Sequence, residues 1–277
     1  MVDNTNDANR PERIAKVMAR AGLCSRREAE RWIEAGRVAV DGEILVSPAV
    51  TVTSANQIEV DGAPLPTSEP TRLWRFHKPT GLLTTQQDPE GRRTVFEALP
   101  DSMPRVISVG RLDINSEGLL LLTNDGELAR RLELPSTGWV RRYRVRVHGR
   151  PQEENFAQLQ KGTSVEGVRY APIVASLENQ TGANAWLTMT LKEGKNREIR
   201  RVCEHFGWRV NRLIRVSYGP FQLGNLKRGL VEEVPKRVLA DQIGEASGGG
   251  TKDKWAKKRP RKSGKSKKAN ARRRRKV

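Results

Sequence analysis

From Pro11 onward, apolar residues recur at helical spacing, with Ile14, Val17, Met18 and Ala21 sharing one face. "GLCS" interrupts that pattern, and Ser25 with Glu28 then forms a capping-box pair that opens a second helix. Its inward residues are Ala29, Trp32 and Ile33, and Gly36 closes it. "RVAV" and "EIL" flank Asp41-Gly42 as a hairpin, and "NQIEVDG" supplies a further strand. The pattern predicts a small α+β module over residues 11–62. "APLPTSEPT", rich in Pro and Ser, predicts a linker at 63–72.

Beyond the linker the period alternates between two and 3.6, which predicts a larger domain over 73–243. Its strands are "LWRFHK", "RVISVGRL", "GLLLLTN", "VRRYRVRVH", "RYAPIVASL", "AWLTMTLK" and "VNRLIRVSY", and its helices "TVFEAL", "GELARRL", "PQEENFAQLQ" and "NREIRRVCEHF". Several strands follow one another with no helix between, so the class is α+β with a mixed, largely antiparallel sheet. No P-loop and no Gly-x-Gly-x-x-Gly after a strand points to a nucleotide cofactor.

Charge changes the picture. The formal net charge is +19, and residues 251–277 hold 15 Lys/Arg against the single acid Asp253, so +14 of it lies there. Residues 244–277 therefore read as a disordered basic tail, suited to a polyanion such as nucleic acid. No apolar run is long enough to span a bilayer, and no charged-then-apolar leader opens the chain. Cys24 and Cys203 form no CxxC pair, so neither a disulfide framework nor a zinc site is expected, and a reducing cytoplasm fits.

Against that basic background, Arg111 and Asp113 stand where one strand ends and the apolar run of "GLLLLTN" begins. An Asp there either forms a turn or is a reactive group. Glu117, the nearest acid, reads as a surface or capping residue. In "KNREIRRVCEHF", Ile199, Val202, Cys203 and Phe206 make an inward stripe. Arg200 flanks it, about 100° round from Ile199, and Arg201 faces away. Arg200 either snorkels or supplies the cation that a carboxylate in a partly dry pocket needs to stay ionised, with Arg111 as the rival partner. "VRRYRVRVH" alternates strictly, placing Tyr143, Val145 and Val147 on one face and Arg142, Arg144 and Arg146 on the other.

The segment "GLCSRREAERWIEAGRVAVDG" in its helix–hairpin setting resembles the S4-like RNA-binding domain. That resemblance implies a helix pair lying against structured RNA, with Arg20, Arg26, Arg27, Arg31 and Arg37 as contacts. "GRLDINSEGLLLLTNDGEL" resembles the catalytic motif of pseudouridine synthases, in the RsuA/RluB family that modifies ribosomal RNA, with Ser116 where that family usually has Thr. "FHKPTGLLTT", "VRRYRVRV" and "LKEGKNREIRRVCEHFGWRVNRLIRVSYG" resemble its other segments, in order. The resemblance implies a catalytic Asp113, an active-site Tyr143 stacking on the target uracil, and a buried Arg200. It also implies Lys78, Arg111 and Leu213 near the substrate and Arg142, Arg144 and Arg201 toward RNA.

The implied reaction breaks the bond from uracil N1 to ribose, turns the base and rejoins it through C5. Nothing is oxidised or hydrolysed, so the chemistry calls for neither a metal nor a cofactor, and one carboxylate suffices as nucleophile or in a glycal-type route. A glycosidase would instead want two carboxylates. The expected partner is ribosomal RNA or an assembling ribosomal particle, met by a cytoplasmic monomer without a membrane. The long basic tail favours the large-subunit branch. A small-subunit enzyme of the same family, or a non-catalytic RNA-binding assembly factor, is the alternative.

Overall fold

The computed structural model describes residues 10–247; the segment 248–277, which holds most of the expected basic tail, lies outside them. In the N-terminal unit, helices α1 (Ile14–Arg20) and α2 (Arg26–Glu34) share a core with an antiparallel sheet. The sheet order is Glu43–Ile44, Val38–Val40, Ile58–Val60 and Ala63–Pro64, so the last strand falls inside the segment expected as a linker. Glu28 N–H donates to Ser25 Oγ at 3.1 Å and Ser25 N–H to Glu28 Oε2 at 3.3 Å, the reciprocal cap that opens α2. Asp41 and Gly42 both have positive φ, as the two-residue hairpin requires. Ile14, Met18, Ala29 and Ile33 are buried, whereas Trp32 lies at the edge and carries the Arg37 guanidinium 4.7 Å from its ring centroid.

The larger unit is built on one nine-stranded sheet. Its strands are β1 (Leu73–Lys78), β2 (Ile107–Val109), β3 (Glu117–Thr123), β4 (Arg141–His148), β5 (Val174–Thr181), β6 (Asn184–Leu191), β7 (Arg209–Tyr218), β8 (Phe221–Gln222) and β9 (Val231–Glu233). They run in the order β5-β6-β4-β7-β3-β1-β9, with β2 beside β3 and β8 beside β7. Every pairing is antiparallel except β7 with β3. The helices are α3 (Gly126–Glu133), α4 (Glu153–Lys161), α5 (Glu198–His205) and α6 (Lys236–Ser247). Among the described residues no helix is long and apolar enough to cross a membrane. Cys24 and Cys203 are free and buried.

Strand β3 is buried along its whole length because both faces are covered. Leu120 and Leu122 pack into one cluster with Tyr143, Val145 and Leu213, and Leu119 and Leu121 into a second with α3 and Tyr218. The expected alternation in β4 holds residue by residue, Tyr143, Val145 and Val147 inward and the three arginines outward. Three expectations change. "RYAPIVASL" divides into a strand Val168–Tyr170 and the start of β5, because Pro172 offers no N–H and Ile173 N–H turns to Leu159 O. "TVFEAL" reduces to one 3-10 turn, Phe96–Ala98. Helix α6 had no counterpart in the pattern.

The parallel contact between β3 and β7 brings Gly118 against Arg215. Gly118 has φ +105°, and a Cβ there would lie 2.3 Å from the Arg215 carbonyl oxygen. Backbone on one side and a left-handed φ on the other leave no cheap relaxation. Gly118→Ala should therefore cost about 3 kcal/mol or more. Thermal denaturation would read this as a fall in Tm, and an unchanged Tm would show that the two strands can separate freely.

Candidate active site

Asp113 lies in the loop joining β2 to β3, and the carbonyls on this loop are each held. Leu112 O accepts from Thr84 Oγ1 at 2.9 Å, and Ile114 O from Gly81 N–H at 2.8 Å. Asp113 O accepts from Ser116 N–H at 2.9 Å and from Lys78 Nζ at 3.1 Å. Asn115 O accepts from Arg200 Nη2 at 2.8 Å, and Ser116 O from Lys78 Nζ at 2.9 Å. These bonds hold the loop in place, and the Asp113 carboxylate is left 32% exposed. Leu112, next in the chain, belongs to the same large buried cluster as Tyr143 and Leu213. Leu213 stands opposite Val145 across β4 and β7, and Tyr143 opposite Arg215.

The cation beside Asp113 differs from the expected one. Arg197 Nη1 is 3.8 Å from Asp113 Oδ2, while Arg200 donates to Asn115 O and to Val210 O at 3.3 Å. Burial pushes the Arg200 guanidinium down from its usual range, Arg197 adds to this, and Asp113 opposes it. Arg200 therefore works on the loop backbone, and its Nε is buried with no partner among the described residues. Arg197 precedes α5 at φ +51°, a left-handed turn that places it ahead of the helix. Nothing in "KNRE" announces that turn. Arg200, expected beside Asp113 from its place on the helix and from the family resemblance, lies within charge range of Asp113 but forms no ion pair with it among the described residues. Arg111 is exposed and lies in no ion pair among the described residues.

Lys78 is a second correction. Expected near the substrate, it is 0% exposed, and its ammonium donates to Pro79 O, Asp113 O and Ser116 O. It positions the loop and cannot touch a ligand. Burial pushes its pKa down to about 8, against the pull of Asp113 and Glu117. Glu117 is a third correction. It is 2% exposed and pairs with Arg212 Nε and, at 3.7 Å, with Arg228 Nε. The partner arginines lie far along the chain, and no local signal marks them.

The expected RNA-facing arginines divide. Arg26, Arg27 and Arg31 are exposed along α2, and Arg142 on β4. Arg37 is committed to Asp61 through Nε at 2.9 Å and Nη2 at 2.5 Å. Arg144 is committed to Glu178 at 2.8 Å and lies over Trp186. Arg201 is half-buried on α5. A cleft of about 730 Å³ lies between α1, α2 and α3, lined by Lys16, Arg20, Arg26, Arg105, Arg130 and Arg131 together with Asp125 and Glu127, and Lys16 and Arg20 pair with Glu127.

The family described as RNA pseudouridylate synthase matches residues 72–205, and the S4 domain family matches 12–58. The chain is 47% identical over 234 residues to an uncharacterised RNA pseudouridine synthase of Rickettsia prowazekii, covering 83% of this chain and 97% of that one. It is 45% identical over 225 residues to the ribosomal large subunit pseudouridine synthase B of Yersinia pestis, covering 79% and 70%. A crystal structure of a pseudouridylate synthase superposes with a TM-score of 0.58 at 24% identity, over 84% of this chain and 99% of that one.

Lys78→Met keeps the length of the side chain and removes three donors. A buried carbonyl left without a partner costs about 1–3 kcal/mol, so Tm should fall by the equivalent of about 3 kcal/mol or more, and kcat with it. In the wild type, two protons serve three carbonyls once the ammonium titrates, so kcat should fall above pH 8 or so. Linkage gives stability the other sign. The folded pKa lies below the ordinary 10.5, so this group adds stability as pH rises from about 8 toward 10.5. A kcat unchanged in Lys78→Met would contradict the positioning role.

Proposed function

The chain belongs to the RNA pseudouridine synthase family, and on that premise we propose that it isomerises one uridine of large-subunit ribosomal RNA through Asp113. The observation that carries this reading is the loop of captured carbonyls, which holds a single carboxylate half-open beside Arg197. The reaction needs one reactive acid that keeps its place while a base is detached, turned and rejoined, and preorganisation of that acid supplies the positioning. A uridine must leave its stack to reach it. Tyr143 and Leu213, in the buried cluster that also holds Leu112, are our choice of apolar wall for the uracil ring, and the Tyr143 hydroxyl is our choice for removing the C5 proton. Arg200 serves by fixing Asn115 and with it the loop, and Arg197 offsets the charge of Asp113.

The substrate class rests on the S4 match, the exposed arginines of α2 and the basic cleft beside them. The choice of the large subunit rests on relatives bearing that name, at 44–45% identity. Cytoplasmic ribosomal RNA or an assembling particle is the partner this implies. A purely structural RNA-binding role on the same scaffold would have no use for so tightly fixed a carboxylate.

Asp113→Asn keeps the shape and the backbone bonds and removes the reactive charge. Release of tritium from C5-labelled uridine in ribosomal RNA transcripts should fall by about 10⁴-fold or more, with RNA affinity and Tm unchanged. Activity within about tenfold of the wild type would remove Asp113 from the chemistry.

A further inference from the structure

The segment Glu193–Glu198 delivers Arg197 to Asp113, and two carboxyls at its ends hold it. Glu193 Oε1 accepts from Ala171 N–H at 2.6 Å and its Oε2 pairs with Lys195 Nζ at 2.9 Å. Glu198 is 3% exposed. Its Oε2 accepts from Lys195 N–H at 2.9 Å, while Glu198 N–H donates back to Lys195 O at 3.2 Å. The other oxygen, Oε1, is buried with no donor among the described residues, and the Glu193 carboxyl is a hydrogen-bonding neighbour of the Glu198 carboxyl. An ionised Glu198 would bury a charge against a like charge; a neutral one donates to Glu193 and completes the network.

We propose that Glu198 is a positioning residue whose neutral carboxyl, hydrogen-bonded to Glu193, locks the 194–197 turn and so sets Arg197 on Asp113. This rests on the reading of Asp113 as the reacting group. Burial, with the Glu193 carboxylate next to it, pushes the Glu198 carboxyl up to about 8, whereas Ala171 N–H and Lys195 hold Glu193 down against burial. The charged groups beside Glu198 are Glu193 and Lys195 on its own loop; Tyr170 lies 5.6 Å from Lys195 Nζ, and from β4 Arg141 reaches the same loop, donating to Lys192 O at 2.6 Å. The hairpin strand Thr163–Val165 brings none, and on β7 Arg212 is committed to Glu117 and Arg215 to Leu119 O. The stability Glu198 contributes is full below the ordinary carboxyl range and is lost as pH rises toward about 8.

The test uses the full chain and two variants. Glu198→Gln mimics the neutral acid, since its amide donates to Glu193 and its oxygen accepts from Lys195 N–H. It should keep kcat within about twofold of the wild type, while Glu198→Ala loses roughly tenfold or more with KM for RNA little changed. Hydrogen exchange at the Glu198 amide, which closes the turn onto Lys195 O, gives a readout independent of turnover, and no Lys78 bond reaches that turn. Protection, corrected for the intrinsic pH dependence, should fall in the wild type between pH 7 and 9.5 or so as Glu198 ionises, and persist in Glu198→Gln. The proposal is overturned if Glu198→Gln is as impaired as Glu198→Ala, or if wild-type protection at the Glu198 amide does not change with pH. Should Glu198→Ala fail to fold, the glutamine variant and the exchange profile decide. An active Asp113→Asn would sink the assigned chemistry and leave the exchange result standing or falling separately.

Discussion

Five consecutive carbonyls, from Leu112 to Ser116, are each fixed by donors reached from elsewhere in the fold, and the place of Asp113 depends on all of them. A free loop would let its carbonyls turn to water. Here the interior takes them, and a buried carbonyl without a donor is costly enough that the loop has one arrangement. Lys78 alone supplies two of these bonds, which is why a fully buried ammonium is tolerated at the end of β1. The parallel meeting of β3 and β7 at Gly118 completes the frame by fixing where the loop must end.

A strongly basic chain can keep the Asp113 carboxylate partly exposed because its buried charges are taken up by partners. Glu117 is committed to Arg212 and Arg228, and the Arg141 and Arg215 guanidiniums lie over the Tyr218 ring, at 4.7 and 5.1 Å. These groups settle their charges inside the protein. Asp113 keeps only the longer contact to Arg197, and so remains available. Arg26, Arg27 and Arg31 of α2 are exposed and in no ion pair among the described residues, whereas Lys16 and Arg20 in the cleft are paired with Glu12 and Glu127.

Much of this was legible in the sequence where a single element decides the outcome. The Ser25–Glu28 cap, the alternation of β4, the buried run of β3 and the inward stripe of α5 follow from local spacing, and the structure has all four. What was not legible depends on partners distant in the chain. Glu117 read as a surface acid until Arg212 was folded against it. Lys78 read as a ligand contact because its acceptors are backbone atoms some 35 residues away, which carry no side-chain signature. Nothing pointed to Arg197 beside Asp113, because spacing along a helix does not reveal a left-handed residue before its first turn.

The central claim is that this fixed carboxylate acts on a uridine of large-subunit ribosomal RNA, and a map of pseudouridines in ribosomal RNA tests it most directly. In cells lacking the gene, one large-subunit position should read as uridine, regain pseudouridine with the wild-type chain, and stay uridine with Asp113→Asn. A large-subunit map that is the same with and without the gene would contradict the account.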